Sequence, residues 1–233
     1  MSVTSFTSAA TVDDALSAMA GGARPVAGGT DLVVGARQGK AALPDNLVAI
    51  HRIDELHGIA ASDGALRLGA LVTHEELVGH ELVRERFTAL ADASAIVGSH
   101  ATRAWGTVGG NVMNASPAME TGGPLVCFDA TATLRSAAGA RFVAVADLFT
   151  GPGTTVAKPG ELLVALDLPA PAEHTGSCYL RLEYRRQMEI AVVGATAVVT
   201  LDGEQIVDAR IAVTALAPTI RRVPEAEAAL VAG

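Results

Sequence analysis

Two glycine motifs contain the residues of this sequence best suited to bind a ligand. The first is Gly28-Gly29-Thr30-Asp31-Leu32, placed between a predicted strand and a predicted helix. Glycines at such a junction let successive backbone N–H groups point at one anion, and the helix dipole adds positive potential. Thr30 can donate its hydroxyl, whereas Asp31 would repel a phosphate and is expected to cap the helix. The motif is compatible with an anion site, but alone it is more typical of a simple turn.

The second motif is denser in hydrogen-bond donors. It runs as Gly106-Thr107-Val108-Gly109-Gly110-Asn111 and continues to Asn114-Ala115-Ser116-Pro117. The stretch from Gly98 to Pro117 is expected to be mostly irregular, and loops of that length without a role are uncommon in compact domains. Neither motif has the spacing of a Rossmann or P-loop fingerprint. Two separated glycine motifs predict a ligand lying between them, and a long dinucleotide would suit that crevice.

No other residues form a catalytic or metal-binding constellation. The histidines are scattered without metal-ligand spacing and are expected at the surface, and Ser99-His100 lacks the third member of a nucleophilic triad. Cys127 and Cys178 are predicted to be core thiols. Two cysteines cannot hold an iron–sulfur cluster or a disulfide framework. The arginine pairs Arg185-Arg186 and Arg221-Arg222 are interpreted as solvated, with docking of an acidic partner surface or binding of a nucleotide acceptor by one pair as the alternative.

Composition excludes several classes of protein. The chain has 233 residues, a net charge of −8 and 3% aromatic residues, which argues against a basic or stacking surface for nucleic acid. The longest apolar run, Ala191 to Val199, is far shorter than the roughly 20 residues that a membrane helix needs. The first basic residue is Arg24, so the amino terminus lacks the charged start of a secretory signal. The expectation is a cytoplasmic protein without membrane insertion.

Helix and strand signals divide the chain into three predicted parts. Residues 1–54 alternate helix and strand as a small α/β unit. Residues 55–171 contain a half-buried strand from Ala65, a capping box at Thr73, a helix over 81–96, a short helix over 122–128 and further strands. Pro169-Ala170-Pro171 marks the next boundary. Residues 172–233 are expected to form three strands and a terminal helix.

The paired motifs resemble a known family. Ala27 to Leu32 together with Thr107 to Asn111 and Ala115-Ser116-Pro117 looks like the FAD-binding medium subunit of molybdenum hydroxylases, the group of carbon monoxide dehydrogenase and xanthine dehydrogenase. The likeness extends through Pro159-Gly160-Glu161-Leu162-Leu163 to Ala215-Leu216-Ala217-Pro218-Thr219. It implies an α+β fold: a two-part PCMH-type FAD-binding domain, with a small α/β and a larger α+β subdomain, then a shortened three-stranded C-terminal α+β domain.

The same resemblance implies roles for individual residues. Glu120 stands where the family has an Asp that bonds the adenosine part, Leu163 where a backbone contact to adenine is expected, and Arg181 where a basic residue lies near the flavin ring. Thr107 stands at a hydroxyl position that bonds phosphate. The implied cofactor-binding set is Ala27, Gly28, Gly29, Thr30, Asp31, Leu32, Thr107, Gly109, Gly110, Asn111, Ser116, Glu120, Leu163 and Arg181. A bulky residue at Gly109 or Gly110 is expected to abolish FAD retention without unfolding the chain.

The resemblance implies an electron-transfer subunit. Electrons would pass from iron–sulfur clusters of a small partner subunit through FAD to an external acceptor, while a molybdopterin large subunit oxidises the substrate, in a dimer of heterotrimers. The sequence leaves two alternatives open. One is a self-contained FAD-dependent oxidoreductase, and the other is a non-catalytic assembly protein that has lost the cofactor.

Overall fold

Three short parallel strands form the first sheet. The computed structural model describes residues 3–185 and 188–233, and it orders these strands as β1 (Ser5–Ser8), β3 (Asn46–Ala49) and β2 (Arg24–Val26). Helices α1 (Val12–Ala20) and α2 (Thr30–Arg37) provide the connections that parallel strands require. The predicted α/β character of this region is confirmed.

A capping box starts α1. The Thr11 hydroxyl accepts a hydrogen bond from the Asp14 N–H at 3.1 Å, and the Asp14 carboxylate accepts one from the Thr11 N–H at 3.0 Å. Two backbone donors without intrahelical partners are thereby satisfied. Thr11 is therefore the N-cap of α1.

Five antiparallel strands form the second sheet. Its strands are β4 (Ile59–Ser62), β5 (Ala65–Gly69), β6 (Thr131–Ser136), β7 (Gly139–Ala144) and β10 (Leu162–Leu168). A separate small hairpin of β8 (Phe149–Gly151) and β9 (Thr154–Thr155) precedes β10 in the chain. Strand β10 lies in the middle, between β5 and β6. In β5 the buried Leu66 and Leu68 flank the exposed Arg67, as its period-two pattern predicts.

Short helices lie between the strands of this sheet along the chain. They are α3 (His74–Gly79), α4 (Glu81–Arg86), α5 (Thr88–Ala95), α6 (His100–Arg103), α7 (Val108–Asn114), α8 (Gly122–Cys127) and α9 (Val145–Leu148). The single helix predicted over 81–96 is wrong, because the chain breaks at Phe87 (φ −125°, ψ 43°). The break places the Phe87 ring in the core, edge-on to Phe128 with 4.9 Å between ring centroids.

An antiparallel sheet completes the chain. Its strands are β11 (Thr175–Leu182), β12 (Val193–Asp202), β13 (Gln205–Thr214) and β14 (Arg221–Arg222), followed by α10 (Pro224–Ala232). The three predicted strands are present, and β14 adds a two-residue fourth that the sequence pattern did not reveal. The mixed α and β content confirms the predicted fold class.

The arginine pairs interpreted as solvated differ in their partners. The Arg222 guanidinium makes two hydrogen bonds of 2.8 Å to the Glu227 carboxylate, so this residue belongs to an ion pair at the edge of the sheet. Arg185 is exposed and lies 3.4 Å from Glu189. Arg186 lies outside the described residues.

Strand β10 connects the two hydrophobic cores. Leu162 and Val164 point to the smaller core with α1 and β3, whereas Leu163 and Leu166 point to the larger core. The larger core also takes in the inner face of the C-terminal sheet through Tyr179. Among the helices of residues 3–185 and 188–233, none is both long and apolar enough to span a membrane.

Candidate functional site

The first glycine motif forms the turn between β2 and α2. Gly29 precedes the helix with φ +69°, a left-handed conformation that favours glycine, and no side chain caps the helix end. The Val33 N–H donates to the Gly29 carbonyl at 2.9 Å, so the intrahelical bonds begin there. The N–H groups of Thr30, Asp31 and Leu32 belong to the first turn, where helices leave donors without intrahelical partners. The turn thus offers an anion a set of backbone donors.

The helix after this turn is poorly covered by the rest of the chain. None of the described side chains of α2 is buried, and Val33 and Val34 are 41% and 46% exposed. Asp31 lies in the first turn rather than at the cap, so its expected capping role is wrong. Although Asp31 is exposed, partial desolvation raises the pKa of its carboxyl. The helix that follows the first motif therefore exposes the apolar side chains of Val33 and Val34 and carries one partly desolvated carboxyl group, that of Asp31.

The second glycine motif is helical, which corrects the expectation of an irregular stretch over 98–117. Thr107 caps α7, and its hydroxyl accepts a hydrogen bond from the Gly110 N–H at 3.0 Å. This cap satisfies a donor that would otherwise be unpaired, which offsets the low helix propensity of the two glycines. The Thr107 hydroxyl proton is still available for donation to a ligand.

Close packing explains Gly109. Its N–H donates to the Ala70 carbonyl at 3.0 Å, and a Cβ added to Gly109 would lie 2.5 Å from that same oxygen. A larger residue here would separate α7 from the end of β5. The expectation that a bulky residue at Gly109 would spare the fold is therefore wrong. Gly110 has more room, since its added Cβ would meet only the Thr107 hydroxyl, at 2.9 Å.

The two motifs touch each other. A Cβ on Gly28 would lie 1.7 Å from the Trp105 carbonyl oxygen, so the first turn approaches the backbone that leads into the second motif. The position of a Gly106 Cβ lies 3.5 Å from the Thr30 hydroxyl and 3.4 Å from the His74 ring. The structure therefore brings glycines and hydroxyls that are separated by about 75 residues in the chain together where the two motifs meet.

Glu120 and Arg181 form an ion pair between the second region and the C-terminal sheet. Nη1 of Arg181 donates to Oε1 of Glu120 at 2.7 Å, and Nε donates to Glu183 at 2.5 Å. The Arg181 side chain is 1% exposed and that of Glu120 is 11% exposed. Burial raises the pKa of Glu120, the adjacent Arg181 opposes that shift, and the Asp31 charge adds to it. The Asp31 interaction places Glu120 near the first turn of α2.

The remaining members of the expected set have structural roles of their own. The Asn111 side chain accepts a hydrogen bond from the Thr121 hydroxyl at 2.7 Å, which ties α7 to the residue after Glu120. Ser116 lies in the turn beyond α7, where its hydroxyl accepts from the Ala118 N–H at 3.3 Å. Leu163 is buried in β10, and Ala27 is half-buried before the first turn. Leu163 shares the larger hydrophobic core with Val108 and Val112 of α7.

Two further residues differ from their expectations. His74, expected at the surface, is buried, and its N–H donates to the Gly106 carbonyl at 3.0 Å. Burial, with a smaller effect of Arg103, lowers the pKa of His74 to about 4, so the ring is neutral at pH 7. The capping box at Thr73 is the signal that could have placed His74 on the first turn of α3. Cys178 is exposed rather than in the core, whereas Cys127 is buried as predicted.

Comparison with family models identifies two matching regions. Residues 2–171 match the model described as the FAD binding domain in molybdopterin dehydrogenase. Residues 179–232 match the CO dehydrogenase flavoprotein C-terminal domain.

Comparison with curated proteins finds relatives along most of the chain. The chain is 33% identical over 227 residues to the xanthine dehydrogenase FAD-binding subunit of Escherichia coli O157:H7, covering 96% of this chain and 77% of that protein. It is 32% identical over 197 residues to the carbon monoxide dehydrogenase medium chain of Afipia carboxidovorans, covering 84% and 68%.

Solved structures have the same fold. One is the reconstituted CO dehydrogenase from Oligotropha carboxidovorans, with a TM-score of 0.92 and 30% identity over 97% of this chain and 79% of that chain. Another is quinoline 2-oxidoreductase from Pseudomonas putida 86, with a TM-score of 0.90 and 30% identity over the same shares.

Proposed function

The chain belongs to the family of FAD-binding domains in molybdopterin dehydrogenases, and we propose that it holds FAD in the crevice between its two glycine motifs. It is an FAD-binding subunit of the molybdenum hydroxylase family and therefore an oxidoreductase. FAD supplies the electron-transfer chemistry, and the protein supplies binding, orientation and electrostatics.

The crevice fits the chemistry of a dinucleotide. The diphosphate lies against the first turn of α2, where Gly28, Gly29, Thr30, Asp31 and Leu32 contribute mainly backbone donors. Ala27 continues this backbone surface. From the opposite side the diphosphate meets the start of α7, with Thr107, Gly109, Gly110, Asn111 and, beyond the helix, Ser116. The two sides touch at Gly28 and Trp105, and this contact is the single observation that carries the proposal.

The acidic and C-terminal residues serve the adenosine half. Glu120 accepts hydrogen bonds from the ribose, and the backbone at Leu163 contacts adenine. Arg181 is enclosed and bonded to Glu120, so it acts on the cofactor through that carboxylate rather than at the flavin ring. Residues 1–54 and 55–171 form the two FAD-binding subdomains and 172–233 the C-terminal domain in this proposal.

The electron route runs through partner chains. Electrons enter the FAD from iron–sulfur clusters of a small subunit, a molybdopterin large subunit oxidises the substrate, and the assembly is a dimer of heterotrimers. The two cysteines of this chain support the placement of the iron–sulfur clusters on a partner subunit. Burial raises the pKa of Cys127 to about 12, which keeps this thiol protonated, and Cys178 lies on the exposed side of β11. The cytoplasmic location expected from the sequence stays a prediction.

An absorbance spectrum tests the cofactor. The purified chain, scanned from roughly 300 to 600 nm before and after incubation with FAD, is expected to show oxidised-flavin bands and to release FAD on heating. Thr30→Val should lower the retained flavin, whereas Gly35→Ala, on the same helix with nothing within 4 Å of an added Cβ, should leave it unchanged. A colourless chain that takes up no added FAD would contradict the proposal and favour an assembly protein. Turnover of a substrate by the chain alone would favour a self-contained oxidoreductase.

A further inference from the structure

An ion pair joins the C-terminal sheet to the crevice. We propose that Arg181 is a positioning residue for FAD, holding the Glu120 carboxylate charged and oriented to receive the ribose of the adenosine half. This inference rests on the proposed function, because it requires FAD in the crevice. It assigns to the C-terminal sheet a part in building a binding site whose other residues all come from the first 171 positions.

The geometry fixes Arg181 from several elements. Its guanidinium donates to Glu120 at 2.7 Å, to Glu183 at 2.5 Å, to the carbonyl of Ile96 at 3.4 Å and to the carbonyl of Glu189 at 3.3 Å. With 1% exposure the side chain is enclosed by its own chain. An arginine held in this way is a fixed donor, so the position of Glu120 is set before any ligand arrives.

Glu120 is more exposed than its partner Arg181. Its side chain is 11% exposed, and it interacts electrostatically with Asp31 in the first turn of α2. The next residue, Thr121, donates to Asn111 of α7 at 2.7 Å. Glu120 thus interacts electrostatically with the first motif, and its neighbour Thr121 is hydrogen-bonded to the helix of the second. A carboxylate offers about four acceptor positions, so the bond to Arg181 leaves capacity for ribose hydroxyls.

The charges around Glu120 make Arg181 necessary. Among the described residues, the titratable and charged groups that interact with this carboxylate are Asp31 from α2 and Tyr179 and Arg181 from β11. Arg181 is the cation within that described set. Without it, Glu120 would be a buried carboxylate that interacts with the Asp31 carboxylate, and such a group takes up a proton. A protonated carboxyl is a weaker acceptor for a ribose.

The test compares Arg181→Met with Arg67→Met in the full-length chain. Arg67 makes an exposed ion pair with Asp167 on the second sheet, so its replacement is a matched control outside the site. FAD binding is titrated by flavin fluorescence from pH 6 to pH 9. Arg181→Met is expected to weaken FAD binding roughly tenfold or more at pH 7, the scale of a lost charged hydrogen bond. Its affinity should rise with pH as Glu120 loses its proton, while the original chain and Arg67→Met stay flat.

Two further variants separate positioning from a general loss of structure. Glu120→Gln should weaken FAD binding to a similar extent without pH dependence, and Arg181→Met/Glu120→Gln should be no weaker than either single variant. The double variant also removes both charges, so it remains informative if Arg181→Met does not fold. Unchanged affinity in Glu120→Gln, or a flat pH profile in a folded Arg181→Met, overturns the positioning role while leaving FAD binding intact. If neither the original chain nor Arg67→Met binds FAD, both the proposed function and the positioning role of Arg181 are overturned.

Discussion

The two glycine motifs look alike in sequence but lie in different surroundings. Helix α7, after the second motif, buries Val108, Gly109 and Val112 and is capped by the Thr107 side chain. Helix α2, after the first motif, has no buried residue and no side-chain cap. One side of the crevice is thus anchored in the core and the other is held mainly by its turn. The difference suggests that α7 forms a fixed wall and that α2 gains much of its order from what binds against it.

Gly109→Val should have the largest effect on the anchored side. Its Cβ would lie 2.5 Å from the Ala70 carbonyl oxygen, so we expect the free energy of unfolding to fall by about 3 kcal/mol, with loss of bound FAD. The measurement is urea unfolding of the FAD-free chain.

Gly35→Ala is the matched change on the open side. Nothing lies within 4 Å of the added Cβ, and alanine favours the helix, so stability should rise by up to about 1 kcal/mol. Equal destabilisation by the two substitutions would show that α2 is packed as tightly as α7, contrary to the comparison.

Replacing the two threonines sharpens the contrast. Thr107→Val removes the hydroxyl that accepts from the Gly110 N–H, which should cost about 1 kcal/mol of stability without FAD. Thr30→Val removes a hydroxyl for which no side-chain hydrogen bond is found in residues 3–185 and 188–233, and should change stability by less than about 0.5 kcal/mol. Both should weaken FAD binding in a titration. If Thr30→Val is the more destabilising of the two, the hydroxyl of Thr30 has a structural role that the comparison does not allow.

Low pH should lower the stability of strand β10, which supports the α7 side of the site. Strand β10, whose Val164 carbonyl accepts from the Ala70 N–H, begins just after Glu161. Hydrogen bonds from Arg141 lower the pKa of Glu161 from 4.5 to about 2. Because the folded-state pKa is the lower one, the stabilisation is complete above pH 4.5 and is lost as the pH falls toward about 2. Glu161→Gln should therefore flatten the stability profile across that window in thermal unfolding. A profile identical to that of the original chain would contradict this role.

Local sequence signals predicted much of the fold. The capping box at Thr73 placed a helix start, and the period-two pattern of β5 placed a strand. The second motif was mispredicted because glycines disfavour helices in isolation, whereas the Thr107 cap and packing on Ala70 override that preference here. The break at Phe87 likewise depends on a distant partner, Phe128.

The site was predicted less completely, for a physical reason. The glycine motifs are local and visible in the sequence, and the resemblance named Glu120 and Arg181 separately. Their ion pair joins residues 61 positions apart, and no spacing rule reveals such a contact. The burial of His74 against Gly106 is also set by tertiary packing.

Hydrogen exchange with and without FAD tests the central claim most directly. Amide exchange of the full-length chain, followed by mass spectrometry, should be fast in residues 28–37 and slow in residues 108–114 without FAD. Saturating FAD should slow exchange strongly in the first segment and slightly at the start of the second, with no change in the hairpin of β6 and β7. FAD-induced protection confined to other parts of the chain, with none in residues 28–34, would contradict a cofactor site between the two glycine motifs.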